Sequence, residues 1–319
     1  MQKKVRWGIL GYAGIAKKCM IPAMLGAESV ELLAIASRDR EKLKDAVQKF
    51  EFKKIYENYE QLLDDPEIDA VYIPLPNSLH KEWTEKAAQK GKHILCEKPL
   101  TLTEEDCKEL EIVCKENKVL LMEAFMYRFL PGVLKVKEIL DKGMIGDIHH
   151  IYSSHRFLLE NMGDVRVNQS LGGGALRDVG CYPVNLLGWI LEDYPEKIST
   201  VKTEVQGVDY SLAASLRYKN GVTANISCGF DGHSSMITEI NGTKGSLLIR
   251  DTFIDTQKSI WLTDMQGNME EIPVEKSNCY QLEVEEFSKA ILSGQEPPLS
   301  LKETERNCRL IEEILRVAE

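Results

Sequence analysis

Two stretches of this 319-residue chain carry residue types that could move a proton. The run Gly172-Gly173-Gly174-Ala175-Leu176-Arg177-Asp178-Val179-Gly180-Cys181-Tyr182 sets a carboxylate and a phenol four residues apart, and Glu97-Lys98-Pro99 sets a lysine just past an apolar run. If the glycines end a loop and Ala175 to Leu191 is helical, Asp178 and Tyr182 share one helix face. An ammonium group beside a phenol stabilises the phenolate and brings its pKa towards working pH, so Lys98 and Tyr182 make a proton-transfer pair. Taken alone, the first run favours a capped, half-buried helix whose Tyr182 points into the core. The first forty residues change that balance.

Lys4 to Leu10 read as a short apolar strand running into Gly11-Tyr12-Ala13-Gly14-Ile15-Ala16. The pattern is that of a dinucleotide fingerprint opening a helix, where backbone N–H groups and the helix dipole receive a pyrophosphate. Gly11 makes the tight turn, and Ala16 fits the variant in which alanine replaces the last glycine. Ala13 stands where the second glycine is expected, so its methyl narrows the approach to the phosphates. Val30 to Ala36 is a second apolar strand, and it ends in Ser37-Arg38 where an NAD site usually has Asp or Glu. A hydroxyl and a guanidinium suit a 2′-phosphate, which a carboxylate would repel, so the cofactor expected is NADP(H), with NAD(H) as the alternative. Asp39 either reaches a ribose or caps the helix starting near Arg40.

The elements that position these groups alternate through the first third. Strands are expected at 4–10, 30–36, 70–73, 93–96 and 119–123, with helices at 15–25, 40–48, 78–89 and 104–117. Such alternation predicts an α/β fold with a doubly wound parallel sheet. Leu75-Pro76-Asn77 follows at the carboxyl edge, where such sheets bind ligands, and Asn77 is equally a helix cap. After about Gly143 the texture changes to runs at 148–157, 198–205, 209–218, 222–229, 236–240 and 246–249. Lys219-Asn220-Gly221 and Asn241-Gly242-Thr243-Lys244-Gly245 mark turns between them. Helices at 280–292 and 302–317 close the chain. The expected domains are 1–123, nucleotide-binding, and 124–319, a substrate-binding and oligomerisation α+β domain with a large, open, mostly antiparallel sheet, its final helices free to pack back near the first domain. An open face on that sheet predicts a homo-oligomer, dimer or tetramer, formed sheet to sheet.

Composition narrows the class. Apolar content of 43% and charged content of 28% are ordinary for a globular protein, and a net charge of −10 without a basic block argues against nucleic acid. No segment approaches membrane-spanning length, and no apolar signal core follows the N-terminus, so a cytoplasmic protein without a membrane partner is expected. The eight cysteines show no metal spacing; no metal is expected, and most should be buried thiols in a reducing compartment, with Cys96 and Cys181 near the candidate site.

The order of motifs is specific. It runs from the glycine turn and Ser37-Arg38-Asp39 through Pro76-Asn77-Ser78-Leu79-His80 and Glu97-Lys98-Pro99. Then come Glu123-Ala124-Phe125-Met126-Tyr127-Arg128-Phe129 and the glycine-rich run ending in Tyr182. Over essentially its whole length the chain resembles the glucose-fructose oxidoreductase / inositol dehydrogenase / MocA family, closest to its dihydrodiol and D-xylose dehydrogenase branch. The resemblance implies a Rossmann domain, a carbohydrate-facing domain with an open sheet, and reversible hydride transfer at a sugar or polyol carbon.

The resemblance also implies roles. Lys98 contacts the nicotinamide ribose and assists proton transfer, Tyr182 takes the substrate hydroxyl proton, and Asp178 orients the substrate. Glu97 and Pro99 are framework, with Glu97 bonding cofactor or nearby backbone. Tyrosine rather than histidine at position 182 disfavours the inositol branch, and Leu130-Pro131-Gly132 removes a polar group found in relatives near the cleft. Arg128 and Arg166, with Arg156, are cofactor or substrate contacts or else ion-pairing residues. His80 either contacts cofactor or packs. The activity expected is an NADP(H)-preferring dehydrogenase or reductase of a monosaccharide, polyol or vicinal diol. Redox-neutral epimerase or glycosidase chemistry and a non-catalytic nucleotide sensor are the alternatives, and the intact Lys98, Asp178 and Tyr182 set argues against the sensor.

Overall fold

The structure, a computed structural model, describes residues 3–256 and 259–318. Met1, Gln2 and Glu319, the outer ends of the two expected domains, lie outside the described residues. The chain divides into two units: residues up to Phe125 with Tyr280–Glu305, and Met126–Cys279 with the residues from Arg306 on. Residues 280–305 thus fall within the first unit, and Trp7 supplies the reason. Its indole N–H donates to Ser288 Oγ at 3.1 Å and its ring lies 6.0 Å from that of Phe287, so helix Cys279–Ser293 packs on the first strand.

The first unit holds six parallel strands, β1 (Val5–Leu10), β2 (Val30–Ala36), β3 (Lys54–Tyr56), β4 (Ala70–Ile73), β5 (His93–Glu97) and β6 (Leu121–Ala124), in the order β3-β2-β1-β4-β5-β6. Every residue of β4 and nearly every residue of β1 and β2 is buried, as expected for strands covered by helices on both faces. The order reverses between β1 and β4. The carboxyl ends of β1, β2, β4 and β5 put Gly11, Ser37, Leu75 and Lys98 on one edge, where doubly wound sheets take ligands. Helix Glu104–Asn117 has the expected bounds, because Thr103 caps it by accepting the Asp106 N–H and Lys118 ends it at φ +56°. The edge strand β3 and the short helix Tyr59–Leu63 were not anticipated; three and five residues are too few to show a period.

The second unit holds an eight-stranded sheet: β7 (Ile148–Leu158), β8 (Lys197–Val205), β9 (Val208–Arg217), β10 (Thr223–Gly229), β11 (Asp231–Gly242), β12 (Gly245–Arg250), β13 (Ser259–Asp264) and β14 (Met269–Pro273). The order is β14-β13-β12-β11-β7-β10-β9-β8, antiparallel except for β7 beside β10. Alternation sorts its faces. Ile151, Leu212, Ala214, Leu216, Ala224 and Ile226 are buried, while Tyr152, Ala213, Ser215 and Thr223 point the other way and are exposed. Helix Pro131–Asp141, β13 and β14 were also missed. Pro131 at the first helical turn and buried Val133, Val136 and Ile139 were the available helix signals.

Candidate active site

In the first unit, Gly11 turns the chain at φ +108°, and a Cβ there would lie 3.0 Å from Leu75 Cδ2. Its N–H donates to Ala36 O at 2.8 Å, tying the turn to the end of β2. A continuous helical stretch, 14–26, follows, and its first N–H groups have no intrahelical acceptor. Its turn Ala16–Met20 is π-helical rather than the regular α-helix expected. Gly14 is exposed, and nothing lies within 4 Å of where its Cβ would be, which leaves the open backbone approach that a pyrophosphate requires. Ala13 and Ile15 are half-buried, and Ala16 is buried. Tyr12 is buried, and its hydroxyl donates to Asp45 at 3.0 Å; burial first, then that carboxylate, push the phenol up to about 12.

At the end of β2, Ser37 is buried and its Oγ accepts the Asp39 N–H. Asp39 resolves its two readings: Oδ1 accepts from the Glu41 and Lys42 N–H groups, so it caps helix Arg40–Lys49. Arg38 is exposed, its guanidinium 5.3 Å from the centre of the Tyr59 ring. The 2′-phosphate chemistry read from Ser37-Arg38 therefore meets a strand end whose carboxylate is engaged elsewhere.

Asn77 opens the 3₁₀ turn Asn77–Leu79 that leads into helix His80–Gln89. The cap position of its 3₁₀ turn is Pro76 and that of helix His80–Gln89 is Leu79, neither with a side-chain cap bond. The N–H of Leu79 donates instead to Pro76 O, which closes the turn through the backbone. His80 packs: it is wholly buried, with Nδ1 2.8 Å from Pro99 O and Nε2 2.7 Å from Leu75 O. Burial, and then the Lys98 charge, hold its imidazole below the usual histidine range against the two carbonyls. At the end of β5, Glu97 Oε1 accepts from the buried Tyr72 hydroxyl at 2.5 Å, so Glu97 is anchored to its own sheet. Lys98 follows, half-buried, and its bond to Pro99 is cis.

In the second unit, the first turn of the site helix, Leu176–Gly180, is π-helical and continues into Cys181–Leu191. A π-turn takes more than four residues per revolution, so residues four apart still fall close to one face, and Asp178 and Tyr182 are each further oriented by their own partners. Asp178 Oδ2 accepts from Arg166 Nε at 2.7 Å, and Arg166 also reaches Asp164 at 3.1 Å. The Tyr182 ring sits 5.1 Å from His155, 5.5 Å from Phe253 and 5.8 Å from Tyr127, with its hydroxyl 3.7 Å from Met126 Sδ. Arg128 donates to Asn185 Oδ1 at 3.3 Å and lies 4.4 Å over Trp189, which pins it to helix Cys181–Leu191. Arg156 bonds Ser211, Ser227 and Asp231 across the sheet.

Three contributors escaped the sequence reading. His155 and Phe253 wall the Tyr182 ring. Asp209, from β9, accepts the Leu176 N–H at 2.6 Å and so fixes the start of the site helix. Burial pushes its carboxyl up to about 6. Gly174, at φ +125°, exists for that contact, because a Cβ there would be 2.2 Å from Asp209 Oδ1. The glycine run was the visible half of this signal; its partner lies on a strand with no local mark. Seven of the eight cysteines are buried, as expected, and Cys19 is intermediate. No helix among the described residues is long and apolar enough to cross a membrane.

Residues 5–125 match the model of the oxidoreductase family with an NAD-binding Rossmann fold, and residues 133–248 match the GFO/IDH/MocA C-terminal domain. The chain belongs to the Gfo/Idh/MocA oxidoreductase family. Among its relatives, D-xylose 1-dehydrogenase (NADP(+)) 2 of Haloferax volcanii is 35% identical, the alignment covering 98% of this chain and 97% of that protein. The trans-1,2-dihydrobenzene-1,2-diol dehydrogenase of Mus musculus is 28% identical over 97% of this chain and 95% of its own. The structure of KijD10, a 3-ketoreductase from Actinomadura kijaniata in complex with NADP and TDP-benzene, superposes with a TM-score of 0.94. It is 31% identical and covers 99% of this chain and 98% of that one. These similarities place the expected α/β architecture, with its Rossmann sheet and large mostly antiparallel sheet, within one family.

Proposed function

We propose that this member of the family is an NADP(H)-preferring oxidoreductase that transfers hydride reversibly between the nicotinamide and a CH–OH or C=O carbon of a sugar, polyol or vicinal diol. Its relatives are named for xylose, for a dTDP-dideoxy sugar and for a dihydrobenzene diol, each a sugar or a diol. The observation that carries the NADP preference is the end of β2: Ser37 and an exposed Arg38, with Asp39 spent on a helix cap. The bound cofactor supplies or accepts the hydride.

The chain's own groups do the rest. The turn Gly11–Ala16 holds the pyrophosphate on backbone N–H groups, and Ser37 with Arg38 takes the 2′-phosphate. Leu75, Pro76 and Asn77 line the same carboxyl edge. Tyr182 exchanges the proton with the substrate hydroxyl, and Lys98, in the role the family resemblance implies, contacts the nicotinamide ribose and assists that transfer. Asp178, steadied by Arg166, accepts hydrogen bonds from substrate hydroxyls and aligns the reacting carbon. Arg128 and Arg166 serve the site through these protein contacts. The protein works in the cytoplasm as a homo-oligomer, a role that suits the exposed sheet face bearing Tyr152, Ala213 and Ser215.

The deciding experiment is a screen of sugars and diols that follows nicotinamide absorbance, repeated with Tyr182→Phe. Loss of a general acid/base lowers kcat by about 10²–10⁴-fold with cofactor affinity retained. Near-normal turnover in that variant would reassign Tyr182 to packing. Tight NADPH binding without turnover on any substrate would leave the sensor reading in its place.

A further inference from the structure

The two residues that follow Lys98 are gripped from either side by buried ionisable side chains. The Pro99 carbonyl faces His80 Nδ1 at 2.8 Å, and the Leu100 N–H donates to Glu123 Oε1 at 2.9 Å. His80 and Glu123 are both wholly buried, one on helix His80–Gln89 and the other on β6. The second carboxylate oxygen, Oε2, has no partner at hydrogen-bond distance, so the one close hydrogen bond of this buried charge is to a peptide N–H, with the Thr304 hydroxyl farther off as its only other neutral support. A sheet that needed only an acceptor there could use a glutamine at much lower desolvation cost. We propose that Glu123 and His80 are positioning residues for Lys98: they fix the Pro99 and Leu100 peptides, and the Glu123 carboxylate balances the Lys98 ammonium.

The surroundings of Glu123 fit a group that changes charge near neutrality. Burial pushes its carboxyl up to about 7, and the Glu97 carboxylate on β5 adds to that; the Leu100 N–H, the Thr304 hydroxyl and the Lys98 ammonium oppose it. The Cys96 thiol, also on β5, feels the Glu123 charge in turn. Around His80, burial and Lys98 disfavour the imidazolium while the Pro99 and Leu75 carbonyls favour it. A neutral imidazole has one N–H and faces two carbonyl acceptors, so His80 can donate to the Lys98 segment or to the Leu75 loop, not to both. As Glu123 gains a proton, its bond to the Leu100 N–H weakens and the charge opposite Lys98 disappears.

The inference rests on the role given to Lys98 above, and Lys98→Met is measured alongside to separate the two. The principal variant is Glu123→Gln, whose amide oxygen still accepts the Leu100 N–H. The kcat–pH profile is followed on the best substrate, with NADPH affinity by fluorescence quenching. Wild type should show an acid limb near the Glu123 titration. Glu123→Gln should lack that limb and lose about tenfold in kcat at neutral pH, with unchanged NADPH affinity. Thr304→Val removes a group that favours the carboxylate, so it should move the limb to higher pH. A readout without nucleotide is thermal unfolding. The raised Glu123 favours protonation in the folded state, so the wild-type midpoint should fall relative to Glu123→Gln between about pH 5 and about pH 7. Lys98→Met with intact turnover would overturn the Lys98 reading itself. An inactive Lys98→Met together with unaltered profiles in Glu123→Gln and Thr304→Val would overturn the positioning role alone.

Discussion

Replacing Gly174 by alanine should loosen the helix that carries Asp178 and Tyr182, and the structure allows the size of the effect to be worked out. At φ +125° a side-chain-bearing residue is strained by about 1–3 kcal/mol. The added Cβ would lie 2.2 Å from Asp209 Oδ1, so the carboxylate must swing away. Its 2.6 Å bond from the Leu176 N–H is then weakened or lost, at about 1.5–3 kcal/mol for a bond to a charged group. The smaller conformational freedom of alanine in the unfolded chain returns about 0.4–1 kcal/mol. The net expectation is a destabilisation of about 2–5 kcal/mol, with kcat reduced because the first turn of the site helix is released. Urea unfolding followed by tryptophan fluorescence is a suitable assay, since Trp189 sits on that same helix. Gly221→Ala is the control: its φ is +87°, yet nothing lies within 4 Å of its Cβ position, so it carries the backbone strain without the collision. Equal losses in the two variants would refute the Asp209 contact as the reason for Gly174. A Gly174→Ala protein with wild-type stability and turnover would refute the whole argument.

Arg38→Ala should weaken NADPH binding by about 1.5–3 kcal/mol and NADH binding little, measured by titrating both cofactors; equal weakening would mean that Ser37-Arg38 does not read the 2′-phosphate. Lys98→Met should abolish turnover while nucleotide binding by fluorescence quenching persists, because the groups that hold the phosphates lie at the other end of the cofactor. Burial raises Asp209 to about 6 from an ordinary value near 3.9, so the folded protein binds that proton more tightly than the unfolded chain. Its contribution to stability therefore falls as pH climbs from about 4 to about 6, by about 3 kcal/mol, and is level above. Asp209→Asn should remove that part of the pH dependence in urea titrations, and a variant with the wild-type slope would contradict the assignment.

What the sequence determined was whatever a local pattern can encode. Apolar runs such as Val30–Ala36 and Ala70–Ile73 fixed strands with the observed bounds, because a strand buried on both faces needs a continuous apolar segment. Thr103 and Lys118 bound a helix that could be read to the residue. Gly11, Ser37-Arg38, Glu97-Lys98 and Asp178 to Tyr182 were legible as chemistry because turns, strand ends and helix starts are marked by residue type. Tertiary structure decided the partners. The Gly172 to Gly174 run announces a turn, yet only the fold brings Asp209 from another strand to require it. Asp39 could have served ribose or helix, and the competition is settled by two backbone N–H groups within its own reach. His155 and Phe253 enclose Tyr182 from strand and loop positions far apart in the chain, with no spacing that would betray them. Trp7 draws helix Cys279–Ser293 onto the first strand, because burying a large ring and satisfying its indole N–H outweighs the order of the chain. The π-turns at Ala16–Met20 and Leu176–Gly180 follow the same rule: an extra residue in a helix is invisible to composition and becomes defined only when packing selects it.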